Sequence, residues 1–255
     1  MSVTTSLDGH VGWITLNRPD RMNAITIDLA RALRDALAAL GADSDVNAIV
    51  IRGSGGNFCA GGDFDEVERL RARGDAALGE LFVSFRAACD AIADVEVPVI
   101  AAVEGSAAAG GFELMQAADI VLVCDTARIA DNHVNFGMVP GGGGTARLPR
   151  SIGRQQALGV LLSGDRLSGL DAVRLGLAYR SFPADEFDSG IAHFAGRLAG
   201  RRRDAVITIK RLVALSVDDG LRAGLDAEMT AVVRHIAGDA GSSSVTAFQN
   251  REVHR

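Results

Sequence analysis

The chain has 255 residues, 48% hydrophobic, 5% aromatic and 23% charged, which excludes a disordered chain and sets a core built mainly from Ala, Val, Leu and Ile. The net charge of −6 excludes the broad basic field of a nucleic-acid binder. The tight basic run Arg201–Arg202–Arg203 reads as a solvated helix start, although a local patch for a phosphorylated ligand stays compatible with an acidic whole. Cys59, Cys89 and Cys124 match no zinc spacing and read as buried thiols of a reducing compartment. Met1 to Asp8 lacks the charged-then-apolar pattern of a signal peptide, and no apolar run is long enough to span a bilayer. A cytoplasmic protein is expected.

In chain order, Val11 to Leu16 reads as a strand ending in Asn17-Arg18-Pro19. Ile27 to Leu40 reads as a helix, because Leu29, Leu33, Leu37 and Leu40 recur at spacings of three and four, with Gly41 as its C-cap. Ala48 to Ile51 is a strand, Gly53 to Gly62 a glycine-rich loop, Ala76 to Ala93 a helix and Pro98 to Val103 a strand. Gly110 to Ala117 reads as a short helix opening on glycines, and Ile120 to Val123 as another strand. Repetition of strand, loop and helix indicates an α/β fold. From about Ser168, where Ser168 and Asp171 resemble a capping pair, the pattern turns helical, with Asp204 to Ser216 and Asp218 to Ile236 the longest late helices.

Two loops between strand and helix carry the chemistry. One runs Asn57-Phe58-Cys59-Ala60-Gly61-Gly62-Asp63-Phe64 and the other Glu104-Gly105-Ser106-Ala107-Ala108-Ala109-Gly110-Gly111-Phe112-Glu113-Leu114. Helix starts offer free N–H groups and the positive end of a dipole, and small residues admit a ligand close to the backbone. Facing one another, two such loops can give two N–H groups to one developing oxyanion, each contributing about 3–4 kcal/mol to the transition state. Either loop alone reads equally as a tightly packed turn.

Together with their flanks the loops resemble the crotonase family, the enoyl-CoA hydratases and isomerases. The resemblance begins at Leu16-Asn17-Arg18-Pro19-Asp20-Arg21-Met22-Asn23-Ala24 and continues through Phe58-Cys59-Ala60-Gly61-Gly62-Asp63. It then takes in Pro98 to Val103, Gly110-Gly111, Ala118-Asp119 and Gly137-Met138-Val139-Pro140-Gly141-Gly142-Gly143-Gly144-Thr145. Leu162-Ser163-Gly164 and Gly176-Leu177-Ala178 follow. The order and spacing of all these segments make the resemblance specific. It implies an α/β crotonase spiral of repeated β-β-α turns over 1–195, followed by a C-terminal helical trimerisation region over 196–255. It also implies an acyl-CoA thioester substrate from fatty-acid metabolism and assembly as a homotrimer or a dimer of trimers. Coenzyme A arrives as part of the substrate, with no metal or other cofactor expected and no nucleic-acid or membrane partner.

The same resemblance implies residue roles. Gly62 and Gly110 would hold the thioester oxygen through their N–H groups. Arg21, Met22, Ala24 and Ala60 would line the path of coenzyme A, and Asp63, Phe64 and Asp65 would touch the substrate. Family hydratases resemble one another in using two glutamates. Glu113 occupies the first position; His133 falls at the second. Histidine can do acid/base work near neutral pH, and attraction to Glu113 would raise its pKa. His133 reads equally as a cavity-lining residue without a proton role, and Asp131 can turn inward as the replacement carboxylate. Some crotonase-like carbon–carbon bond hydrolases are similar in having a histidine here, with an aspartate partner shortly after the proline; this chain has Gly142 in that region. Asp119 reads as structural and Trp13 as core, while the helix near Phe64 to Gly79 and the stretch Phe82 to Phe85 should form the acyl wall. Arg251, in Ala247-Phe248-Gln249-Asn250-Arg251, falls where the family places a basic residue toward coenzyme A, but its usual acidic-glycine lead-in is replaced by Gly241-Ser242-Ser243-Ser244. Three functions remain open: hydration by Glu113 with His133, single-base isomerisation by Glu113, and acyl-CoA binding without turnover.

Overall fold

The computed structural model describes residues 1–238 and residue 241. Val3–Asp8 (β1) and Val11–Leu16 (β2) form an antiparallel hairpin at the sheet edge. Ala48–Gly53 (β3), Val99–Val103 (β4), Ile120–Cys124 (β6) and Arg180–Phe182 (β8) extend the sheet in parallel, giving the order β1-β2-β3-β4-β6-β8. Every residue of β4 is buried, as expected of a parallel sheet covered on both faces. Ser106–Ala108 (β5) and Arg128–Ala130 (β7) form a second, two-stranded parallel sheet that carries the second glycine loop. The α/β expectation from the sequence therefore holds.

Ile27–Ala42 (α1) starts where the Thr26 side chain accepts the Leu29 N–H at 3.1 Å, and it buries Leu29, Leu33, Leu37 and Leu40. The helix runs past Gly41, which is not its cap. A Cβ at Gly41 would lie 3.0 Å from the Val95 side chain, so this glycine is a packing residue at the end of Asp75–Asp94 (α3), the helix lying along α1. Between them in sequence Phe64–Arg71 (α2) is a short amphipathic helix of about two turns; the helix expected from Phe64 to Gly79 is thus broken after Arg71, and α3 starts at Asp75.

Gly110–Ala117 (α4) has the predicted bounds and is buried from Gly110 to Met115. Asp119, just beyond it, accepts the Val99 N–H at 2.7 Å and ties α4 to the start of β4, which confirms its structural reading. Gly144–Ile152 (α5), Arg154–Ser163 (α6), Gly169–Leu175 (α7) and Phe187–Ala199 (α8) complete the first unit. Ser168 and Asp171 make the predicted reciprocal cap of α7. β8 interrupts what read as a wholly helical second half, because three residues are too few to show alternation.

The chain divides into two units after Gly200. The division expected at 195/196 falls inside α8, which continues to Ala199. In the second unit Arg203–Asp218 (α9) packs against Leu221–Ala237 (α10). Ile209, Val213 and Val217 on α9 and Leu225 and Met229 on α10 remain exposed. Among the described residues no helix is long and apolar enough to cross a membrane.

Candidate active site

The two glycine loops meet backbone to backbone. Gly61 adopts φ +104°, a region L-residues avoid, and a Cβ there would sit 2.9 Å from Ala109 Cβ and 3.3 Å from the Gly110 nitrogen. Cys59 bridges in parallel to Ala107, and the Ala108 N–H donates to the Cys59 carbonyl at 3.0 Å. In the neighbouring parallel bridge, Ile25 donates to Gly61 O at 2.7 Å and accepts from the Asp63 N–H at 2.9 Å. Those two bonds turn the N–H of Gly62, the residue between, away from Ile25. Gly110 is the first residue of α4, where no internal acceptor exists for its N–H. Ala109, just before it, has φ 48° and ψ −117°, a strained turn fixed by donation of its N–H to Ala130 O at 3.0 Å.

Gly62 and Gly110 open onto one cavity of about 200 Å³, which Glu113 and His133 also line. Ala60 lines it too, and its apolar wall comes from Phe64, Val67, Phe82, Phe85 and Phe136. The wall expected from α2 and α3 is therefore present, with Phe136, Met138 and Val139 as a further side that the sequence did not indicate. A larger open depression of about 1090 Å³ lies along residues 1–3, α1 and α2; it contains neither the glycine N–H groups nor Glu113.

Glu113 stands in the first turn of α4 and is 2% exposed. Its Oε1 accepts the N–H of Gly142 at 2.7 Å and of Gly144 at 2.9 Å. The glycine run, read in the sequence as a turn into the next helix, does lead into α5 and also holds this carboxylate. With Oε1 committed to the backbone, Oε2 is the oxygen left for chemistry. Side chains are excluded here: a Cβ at Gly142 would lie 2.2 Å from Phe85 and 3.0 Å from Glu113 Oε2.

His133 begins the 3-10 turn His133–Phe136. A carboxylate does reach it, from Asp131 rather than from the segment after Pro140. Asp131 Oδ1 lies 2.7 Å from His133 Nδ1 and 3.3 Å from the His133 backbone nitrogen. Asp131 is 1% exposed and turned inward, as one sequence alternative allowed. Burial pushes the His133 pKa down, but the hydrogen bond and charge of Asp131 and the charge of Glu113 outweigh it and hold the pKa above its usual value.

The remaining described candidates, Arg21, Met22, Ala24, Asp63 and Asp65, do not line this cavity. Arg21 and Asp65 are exposed and paired with one another at 2.8 Å. Met22 is exposed at φ 47°, and Ala24 is buried. Asp63 caps α2 through the Glu66 N–H at 3.1 Å and pairs with Arg18 at 2.7 Å, so it faces a cation and a helix end rather than the cavity. Arg18, not singled out in the sequence, also donates to Ala24 O and braces the loop from Arg21 to Ala24. The Asp-x-x-Glu spacing of Asp63 and Glu66 was the available sequence signal for the cap. Arg251 lies outside the described residues. Cys59 and Cys89 are core thiols, pushed up to about 12 by burial.

Comparison with known proteins gives the family and the fold. Residues 7–254 match the enoyl-CoA hydratase/isomerase family model. A probable enoyl-CoA hydratase of Rhizobium meliloti is 36% identical over 85% of this chain and 82% of its own length. The mitochondrial enoyl-CoA hydratase of Pongo abelii is 32% identical over 93% of this chain and 80% of its own. The crystal structure of an enoyl-CoA hydratase from Polaromonas superposes with a TM-score of 0.93 at 30% identity, covering 98% of this chain and 97% of that one. The fold is thus the crotonase fold, and the chain belongs to the enoyl-CoA hydratase/isomerase family.

Proposed function

We propose that the chain adds water across the double bond of a 2-enoyl-CoA thioester, or catalyses the reverse elimination. The observation that carries this reading is one cavity lined by Gly62, Gly110, Glu113 and His133. The two glycine N–H groups hold the thioester oxygen and stabilise the enolate formed when water attacks the β-carbon. Glu113 Oε2 takes the proton from water as its oxygen bonds to that carbon. His133, held above its usual pKa, gives a proton to the α-carbon, and the two groups then exchange the proton to reset. The hydroxyl oxygen and both added hydrogens thus come from water, and no electrons are transferred.

In this reading coenzyme A is part of the substrate, and the chemistry calls for no further cofactor. Its path follows Arg21, Met22, Ala24 and Ala60, with Phe64 at the acyl end. The exposed apolar rows of α9 and α10 support assembly as a homotrimer or a pair of trimers.

A panel of short, medium and aromatic acyl-CoA thioesters tests the reading, each assayed for hydration and for double-bond isomerisation with wild type and Glu113→Gln. Hydration by wild type that falls at least about a hundredfold in Glu113→Gln supports it. Isomerisation without hydration would assign one-base chemistry instead, and thermal stabilisation by thioesters without turnover would assign a binding protein.

A further inference from the structure

Asp131 and His133 form a buried carboxylate–imidazole pair. Asp131 leaves the end of β7, a strand fixed beside the site by the bond from Ala109 N–H to Ala130 O. Its Oδ1 sits 2.7 Å from His133 Nδ1, while His133 lines the cavity. A five-membered ring anchored at Nδ1 leaves Nε2, on its other side, as the nitrogen available to the cavity. The second oxygen, Oδ2, is buried with no hydrogen-bond partner among the described residues. It lies 3.1 Å from where a Cβ of Gly144 would be, a point also 3.3 Å from Glu113 Oε1. Gly144 therefore separates two buried carboxylates, one serving the ring and one serving the cavity.

We infer that Asp131 is the positioning residue of His133: it holds the proton on Nδ1 and directs Nε2 to the reacting carbon. This rests on the proposed role of His133 as proton donor. Asp131 does not replace the second glutamate, because the histidine ring stands between its Oδ1 and the cavity. A buried carboxylate without a partner is costly, whereas one beside an imidazole tolerates burial and fixes the ring's tautomer and orientation. The charged groups acting on the ring are Asp131, on its own loop, and Glu113, on α4. The helix α6 also packs on this turn and carries Arg154 in its first turn.

The test is ring-nitrogen NMR of His133 through a pH titration, in wild type and in Asp131→Asn, with steady-state hydration kinetics alongside. In wild type the neutral ring should carry its proton on Nδ1, and its midpoint should lie above the ordinary histidine value. In Asp131→Asn the midpoint should move down and the Nδ1–H preference should be lost. The kcat should drop roughly a hundredfold with little change in KM, and the acidic-form limb of the pH–rate profile should move with the midpoint. A wild-type ring protonated on Nε2, or a midpoint unmoved by Asp131→Asn, would overturn the assignment. If the variant does not fold, the wild-type tautomer decides alone. If the ring behaves as stated while removal of His133 leaves hydration intact, the positioning stands and the proton-donor reading fails.

Discussion

The N–H of Gly142 donates to Oε1 of Glu113 at 2.7 Å across 29 residues of sequence. Together with Gly144 it makes the position of the α4 carboxylate depend on a loop that must be glycine. Gly142→Ala should therefore act on the site as well as on stability. The added methyl meets Phe85, itself buried, at 2.2 Å and cannot be absorbed without moving the loop. The expected cost is about 1–3 kcal/mol of stability with a hydration rate lowered more than tenfold. Urea denaturation and kcat check it; relief of both by adding Phe85→Leu would locate the clash.

Arg18→Ala should loosen the first loop. Burial alone would raise the Asp63 pKa, but the Arg18 hydrogen bond, the Glu66 N–H and nearby Arg charges hold it below its ordinary value. The linkage follows directly: the contribution is present above the unfolded carboxylate pKa and is lost as pH falls through the lower folded value. Removing Arg18 leaves Asp63, 7% exposed, without its cation and should cost about 2 kcal/mol near neutral pH. The thermal midpoint measured against pH should show the variant's deficit largest near neutral pH and shrinking as pH falls through the range where Asp63 titrates, because the wild type alone loses this contribution there. In the proposed reading KM for the thioester also rises, because Arg18 braces the carbonyl of Ala24.

Ala109→Gly should stabilise the chain, against the usual direction of a glycine substitution. Ala109 is held at φ 48° and ψ −117°, where its Cβ is strained, and removing that Cβ should return about 1 kcal/mol. Differential scanning calorimetry at fixed protein concentration checks the sign. A midpoint lowered by the substitution would mean that the turn is not strained.

The raised pKa of His133 carries a stability consequence of opposite sense to that of Asp63. Its contribution is fully present below the unfolded histidine pKa and is lost as pH rises through the higher folded value. The stability difference between wild type and His133→Gln should therefore be largest in mild acid and shrink as pH rises above neutrality. Paired urea titrations across that range check it.

Much of this site was legible in one sequence. Glu113 and His133 stood out because the resemblance to the crotonase family marks those two positions for acid/base groups. The holders of those groups were less legible for a physical reason. Gly142 and Gly144 act through backbone N–H groups, which every residue type but proline carries, so only the glycine requirement shows, and it reads as a turn. Asp131 bonds two residues along the chain, but whether its side chain turns in is decided by β7 and β5 pairing, a contact set by distant residues. Of the fold, the core strands were recovered because they are nearly continuous apolar runs, and α4 because it opens on glycines after a strand. β1 was missed because five of its six residues are exposed, and β5 and β7 because three residues show no period.

The central claim is that Glu113 and His133 act together on water and a thioester. Its most direct test is the initial rate of hydration of a short 2-enoyl-CoA by His133→Ala, with binding of the thioester measured on the same preparation. The account predicts binding close to wild type and a rate lower by about a hundredfold or more. A variant that hydrates at the wild-type rate would contradict it.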